Sequence, residues 1–295
     1  MSARFLTVVL ERAFNMRDGF GREIDYMRIS VIDSCNLNCY YCNPCDNNEH
    51  CHALNILSVK EVLCIVRAAT RLGIKHFRLT GGEPLLHPQL DEMVLQIKKI
   101  PGVSSVSLTT NAVLLVQHAK WLKEAGIDSI NVSLDTIDAS EYEHITKKPL
   151  LEEVKHGINA AIECGIRVKI NVVLTPQTDV VALTRYVAKK GTDIRFIEMM
   201  PVGEGHTNGV EPYKKVIGTL SKLYGEPCRI NTEKTKEINS GNDKRKIPDN
   251  GPAEYYIFPE LGIRVGLIQA IHGKFCDTCN RIRVTADGRL MPCLG

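Results

Sequence analysis

The sequence predicts an α/β protein built on a parallel sheet, and three observations carry that expectation. Short runs rich in Val, Ile and Leu alternate with amphipathic stretches from Tyr26 to Met200. The runs are mostly bounded by Gly, Asp, Asn or Pro, as buried parallel strands are. No internal repeat or low-complexity tract breaks the alternation. Strand–helix units in succession imply a parallel sheet with right-handed crossovers.

The strand candidates, in order, are YMRISVI from Tyr26, HFRLT from His76, SVSLTT from Ser105, INVSLD from Ile130, VKINVVL from Val168 and IRFIEM from Ile194. The first helix is announced by Ser58-Val59-Lys60-Glu61, a capping-box pattern, with Val59, Val62, Leu63, Val66 and Leu72 recurring on one face behind it. Such a cap contributes about 1 kcal/mol, enough to mark a helix start. Similar patterns run from Leu90 to Lys99, His118 to Ala125, Glu152 to Cys164 and Val180 to Lys190. Gly73, Gly102, Gly126, Gly165 and Gly191 follow them, where a glycine stop belongs. Six units make either an open doubly wound sheet or an incomplete barrel, and in both the ligand site lies at the C-terminal strand ends. Three motifs cluster at those ends. Cysteines follow the first strand, Gly81-Gly82-Glu83-Pro84 the second and Thr109-Thr110-Asn111 the third.

Past Lys222 the pattern changes. NTEKTKEINSGNDKRKIPDNGP, from Asn231, reads as a solvated linker rather than a phosphate-binding loop, because acids are interleaved and no aromatic is present. AEYYIF and GIRVGLI, around Pro259 to Leu261, read as a hairpin. The expected division is a core over 18–225, a charged linker over 226–252 and a C-terminal hairpin with a second cysteine region over 253–295.

Composition sets the outer bounds. A chain of 295 residues with 44% apolar and 24% charged side chains can bury a large core. The net charge of +3 is too small to argue for nucleic acid, so an anion site has to come from local clustering. No apolar run approaches the roughly 20 residues of a membrane span. FLTVVL near the start is six residues long and is followed by Glu11 and Arg12, too short for a secretory core, so a cytoplasmic location is expected.

Eleven cysteines fit metal or redox work in a reducing compartment better than disulfides. Six fall in two triads, Cys35, Cys39 and Cys42 as C-x3-C-x2-C, and Cys276, Cys279 and Cys293 as C-x2-C-x13-C. Three thiolates can ligate three irons of a [4Fe–4S] cube and leave the fourth open for an external ligand. Zinc is the alternative at the first triad, with Cys45 or Cys51 as fourth ligand. Cys64, Cys164 and Cys228 read as packed or incidental thiols. Arg28, Arg78, Lys169 and Arg195 alternate with apolar residues inside strands, and Arg281 and Arg283 stand beside the second triad. A cation facing a buried side needs an anion partner.

The first triad with Tyr41 before its last cysteine, just after a strand and followed by GGEP, resembles the radical S-adenosylmethionine superfamily. Within it, DGFGREIDYMRISVIDSCNLNCYYC, RLTGGEPLL, LTTN, INVSLDT, VKINVVL, IRFIEMMPVGEG and FCDTCNRIRVTADGRLMPCL are similar, in order, to motifs of the GTP 3′,8-cyclase (molybdenum cofactor biosynthesis protein A) family. The match runs from about Asp18 to the end. The resemblance implies an incomplete, three-quarter parallel β/α barrel with a C-terminal extension carrying a second iron–sulfur cluster. It implies two [4Fe–4S] clusters on the six cysteines and S-adenosylmethionine held by Tyr41, Gly82, Glu83, Ser133 and Met200. GTP would be bound by Arg28, Arg78, Thr109, Lys169, Arg281, Ile282 and Arg283. A radical from S-adenosylmethionine would remove the ribose 3′ hydrogen, and the resulting carbon radical would attack C8 of guanine. No protein general base is identified. The implied partners are a low-potential electron donor, a second copy of the chain and the next enzyme of the molybdopterin pathway, with neither nucleic acid nor membrane.

Three departures from the family pattern stand out. The family continues past this point to a terminal glycine pair that reaches the active site, so the sequence, stopping at Gly295, is expected to be a fragment. His76 stands where the family often has lysine, which is expected to weaken triphosphate binding. Cys45, in the unusual NPCDNNEHC segment, could compete for metal. Two rival readings are a peptide-modifying radical enzyme with an auxiliary cluster and a non-catalytic zinc protein.

Overall fold

The computed structural model describes residues 16–42, 55–201, 209–230 and 251–293. Among the described residues eight strands run parallel. β1 (Tyr26–Ser30), β2 (His76–Thr80), β3 (Ser105–Thr110), β4 (Ser129–Ser133), β5 (Val168–Leu174) and β6 (Asp193–Glu198) lie side by side in chain order. β9 (Arg264–Ile268) adds beside β6, and β10 (Arg281–Val284) adds on the other side, beside β1. Antiparallel strands finish the two ends: β11 (Leu290–Met291) on β10, and β8 (Glu254–Ile257) with β7 (Cys228–Ile230) beyond β9. The β8–β9 pair is the expected hairpin, Tyr255 opposite Gly266.

The crossovers are helices α1 (Val59–Arg71), α2 (Leu90–Lys98), α3 (Leu115–Glu124), α4 (Ala139–Thr146), α5 (Leu151–Glu163) and α6 (Val180–Lys189), followed by a π turn at Tyr213–Ile217 and α7 (Gly218–Tyr224). The Ser58–Glu61 capping box forms as expected, with Ser58 N donating to Glu61 at 2.8 Å and Glu61 N to Ser58 Oγ at 3.3 Å. α1 stops at a turn in which Gly73 takes φ 91°, a conformation that a Cβ penalises. α3 begins three residues earlier than the sequence pattern indicates, at Leu115, because Leu115 itself is fully buried.

Side chains on the strands divide by parity. Met27, Ile29, Phe77, Leu79, Val106 and Leu108 are buried beneath the helices with Val62, Val94, Leu122 and Val154. Each large apolar side chain so buried contributes about 1.5–3 kcal/mol. The alternate residues, Tyr26, Arg28, His76, Arg78, Ser105, Ser107, Ser129, Asn131, Lys169 and Asn171, face a single cavity of about 480 Å³. Ile268 of β9 and Arg281 of β10 line that same cavity. The sheet therefore curls around its polar face, while among the described residues β9 and β10 do not pair with each other.

The expected linker over 226–252 contains β7, and its residues 231–250 lie outside the described residues, as do Cys45 and Cys51. Among the described residues no helix is long and apolar enough to cross a membrane.

Candidate active site

The first triad sits on the loop that leaves β1. α4, which sequence patterning missed, holds that loop. The last carbonyls of a helix have no partner within it, and here Thr146 O accepts from Asn38 N at 3.0 Å and Ile145 O from Tyr40 N at 3.1 Å. Asn111, just past β3, donates from Nδ2 to Asn36 Oδ1 at 2.8 Å, with Cys35 Sγ at 3.8 Å. Tyr41 donates its hydroxyl to Asp135, which also accepts from Val173 N at 2.7 Å. Asp135 is a supporting residue that sequence reasoning passed over. It sits in INVSLDT, two residues past Ser133, and burial pushes its carboxyl up to about 6. Burial also raises the three thiols, Cys39 to about 12; Asp135 adds to the rise at Cys39 and Cys42, and Cys35 and Cys39 each feel Cys42. A bound cation reverses that preference.

The glycine pair closes over this loop. Gly82 N donates to Ile32 O and Glu83 N to Ser34 O, both at 2.8 Å. A Cβ on Gly82 would lie under 3.0 Å from Ser34 O and Asp33 O. Glu83 is buried at 1% exposure, and its carboxylate accepts from Thr110 Oγ1 at 2.7 Å, Asn111 N at 2.7 Å and Leu85 N at 3.0 Å. Burial raises its pKa to about 6 against those three donors. Glu83 thus ties the end of β2 to the end of β3. Ser133 is exposed at the end of β4, and Met200 is partly buried just past β6.

The cations lie deeper, along the inner face of the sheet. Arg78, Arg28 and Arg283 stand directly side by side across β2, β1 and β10. Arg28, in the middle, has its pKa pushed down to about 9 by burial, with Arg283 and Arg78 adding to it. Its Nε is buried and has no hydrogen-bond partner among the described residues. Arg195 Nη2 is likewise buried and unbonded, although its Nε donates to Asn171 Oδ1 at 3.0 Å. Burial lowers Arg281 and Arg283 as well. Arg78 donates to the Tyr26 hydroxyl and, at 3.3 Å, to Thr109 Oγ1. Lys169 is 5% exposed, with Nζ 5.8 Å from the Tyr255 ring centre. Asp128 is the one carboxylate among the described residues that line this cavity. Ile282 alternates with Arg281 and Arg283 and packs against the apolar core.

The site was expected at the C-terminal strand ends. The cysteines, glycines and Asn111 are there, but the cationic cavity extends toward the N-terminal ends, to Tyr26, His76, Ser105 and Ser129. Small polar residues on β3 and β4 leave space where a filled barrel would carry branched apolar layers.

The second triad meets the arginine row from the side. Cys276 opens a short turn, Cys279 closes it, and Asn280 Nδ2 donates to Asp25 at 2.6 Å as the chain enters β10. Met291 pairs with Arg283, which brings Cys293 back beside it. Arg283 lies within electrostatic reach of Cys293 and Cys279, Arg281 of Cys279, and Arg22 of Cys279 and Cys276. Arg22 Nη1 also donates to Cys276 O at 2.7 Å. Glu198, buried at the end of β6, accepts from Ile271 N at 2.7 Å, His272 N at 3.1 Å and the His272 ring. That carboxylate anchors the loop leading into the triad. Glu198→Ala leaves those donors unpaired and should cost about 2 kcal/mol. Calorimetric unfolding would read it as a lower Tm.

Among the described residues no three Cys, His, Asp or Glu converge tightly enough to hold one metal ion.

Residues 29–183 match the Radical SAM superfamily, and residues 192–295 match Molybdenum Cofactor Synthesis C. A protein of Clostridium perfringens called GTP 3′,8-cyclase is 37% identical over 282 residues, covering 95% of this chain and 83% of its own length. One of Pelotomaculum thermopropionicum with the same name is 38% identical over 286 residues, covering 95% and 84%. The chain belongs to the GTP 3′,8-cyclase family. Its radical S-adenosylmethionine fold is seen in solved structures too. Streptococcus suis SuiB bound to S-adenosylmethionine matches with a TM-score of 0.64 at 15% identity, over 92% of this chain and 60% of SuiB. Methylornithine synthase matches with a TM-score of 0.55 at 17% identity, over 77% and 70%. At those identities the likeness speaks for the fold alone. Family membership also gives the two sequence matches a structural meaning. Their boundary, between residues 183 and 192, falls just before β6, so the second match supplies β6 to β11 of one continuous sheet.

Proposed function

We propose that the chain is a radical S-adenosylmethionine enzyme that converts GTP to (8S)-3′,8-cyclo-7,8-dihydroguanosine 5′-triphosphate, the first step of molybdenum cofactor biosynthesis. The observation that carries this reading is the row of Arg78, Arg28 and Arg283, with unbonded buried nitrogen on Arg28, running from the cavity to the second triad. Unpaired buried cations in fixed geometry call for a polyanion.

Cys35, Cys39 and Cys42 would hold one [4Fe–4S] cluster, with S-adenosylmethionine bound against Tyr41, Gly82, Glu83, Ser133 and Met200. Cys276, Cys279 and Cys293 would hold a second, which would help to bind the guanine. When bound, these groups supply one-electron cleavage of S-adenosylmethionine, and with it the radical that removes the ribose 3′ hydrogen. The chain's own residues do the rest. Arg28, Arg78, Thr109, Lys169, Arg281, Ile282 and Arg283 would bind GTP, the cations among them meeting its triphosphate. The curled sheet, read as an incomplete, three-quarter barrel with residues 253–295 as its cluster-bearing extension, holds the ribose and C8 of guanine adjacent. Catalysis by the protein is then positioning and exclusion of water. A cytoplasmic homodimer, a low-potential electron donor and handover to the next enzyme of the pathway complete the proposal.

The test is anaerobic reconstitution, iron and sulfide analysis, and a GTP titration followed by paramagnetic resonance of the reduced clusters. About eight irons per chain and a GTP-dependent change in one signal are expected. Arg283→Ala should weaken GTP binding by more than about tenfold while S-adenosylmethionine cleavage persists. About four irons with no response to GTP would sink the cyclase reading and leave only the radical core.

A further inference from the structure

We propose that His76 is a proton-linked polyanion contact, its imidazole taking up a proton when a phosphate-bearing ligand enters the cationic cavity. This inference rests on the nucleotide reading of that cavity and deepens it: at a position where the family often has lysine, the charge depends on the substrate. His76 opens β2 and lines the cavity between Tyr26 of β1 and Ser105 of β3. Its Nδ1 lies 2.8 Å from Ser105 Oγ. A hydroxyl can donate or accept, so Ser105 serves the neutral and the charged ring alike by turning its hydrogen. Nε2 makes no hydrogen bond among the described residues.

The surrounding charges come from every neighbouring element. Asp25, before β1, and Asp128, before β4, favour the imidazolium, while Lys75 opposes it. The Tyr26 ring stacks on His76 with centres 6.4 Å apart. Arg28, Arg78, Arg167, Lys169, Arg195 and Arg281 line the same cavity. Burial outweighs the two carboxylates and holds the imidazole below its ordinary range, so the ring of the ligand-free chain is neutral at pH 7.

A triphosphate brings several negative charges into this cluster and reverses the balance. Proton and polyanion then strengthen each other's binding by the same factor.

The deciding experiment is isothermal titration calorimetry of the anaerobically reconstituted chain with inorganic tripolyphosphate and with GTP. Two buffers of different ionisation enthalpy, from about pH 6 to 8, read proton uptake directly. Wild type is compared with His76→Gln and His76→Lys, which share the ligand's own phosphate titration and so cancel it. Wild type should take up as much as one proton more than His76→Gln. Its affinity should fall more steeply with rising pH than that of His76→Gln, by at most about tenfold per pH unit. His76→Lys should match His76→Gln in proton uptake and bind at least as tightly as wild type at the alkaline end. Binding with equal proton uptake in wild type and either folded variant overturns this inference alone. No binding of either polyanion at any pH overturns the nucleotide reading, and this inference with it.

Discussion

Gly82→Ala is expected to leave a folded chain that no longer assembles its first cysteine site. The added Cβ would fall under 3.0 Å from Ser34 O, Ser34 C and Asp33 O, all main-chain atoms just before Cys35. Main chain cannot swing aside as a flexible side chain does, so either the glycine loop or the cysteine loop has to move. The 2.8 Å bonds from Gly82 N to Ile32 O and from Glu83 N to Ser34 O resist the first movement. The anchors of Asn38 and Tyr40 on the end of α4 resist the second. Overpacking of this kind costs about 1–3 kcal/mol, tolerable for a chain of this size but not for a site that needs placement within about 0.5 Å. Reconstituted Gly82→Ala should therefore lose about half its iron, retain the second cluster's resonance signal and fail to bind S-adenosylmethionine. Wild-type iron content with normal S-adenosylmethionine affinity would show that the close approach is dispensable.

The parts of the fold that declare themselves in the sequence are those whose local chemistry agrees with the tertiary context. HFRLT, SVSLTT and VKINVVL become β2, β3 and β5 with the expected bounds. Their apolar residues alternate with polar ones, and both parities have a buried destination. α4 leaves little trace in the sequence because Ala139–Thr146 spans only eight residues, with little apolar repetition; Tyr142 and Ile145 are its buried large side chains. Its helicity depends on a cap, Asp138 accepting from Glu141 N at 2.9 Å, and on the cysteine loop bonded to its far end. The addition of β9 to β6 and of β10 to β1 leaves no local signature at all, since parallel pairing joins segments far apart in the chain.

The candidate site was legible in the same uneven way. Cysteine spacing and the glycine pair are short-range patterns and can be read directly. The arginines were recognisable as cations inside strands, but that Arg78, Arg28 and Arg283 share one lateral row follows from strand register, which residue spacing does not encode. Asp135 and Glu198 escaped notice because each acts across the fold, on Tyr41 and on the loop at Ile271 and His272, from sequence positions that read as ordinary strand ends.

Arg28→Met separates what stabilises the chain from what it is for. In the ligand-free protein Arg28 is enclosed between two other arginines, its pKa is lowered to about 9 first by burial, and its Nε has no partner. A buried polar group left unpaired costs about 1–3 kcal/mol, so a methionine of similar length should raise the stability of the cluster-free chain by roughly that amount. The same change removes the middle of the polyanion grip. Truncating one partner of a buried charge pair costs about 2–5 kcal/mol of binding, a factor of roughly 30 to several thousand in Kd. Tm and GTP affinity should therefore move in opposite directions, the signature of a residue kept for its ligand at the expense of the fold. Arg28→Lys should fall between the two, since a point charge keeps the attraction but loses the fork that spans neighbouring phosphate oxygens. A lower Tm in Arg28→Met would mean that Arg28 is already satisfied inside the protein. The row would then be a structural spine rather than a site waiting for an anion.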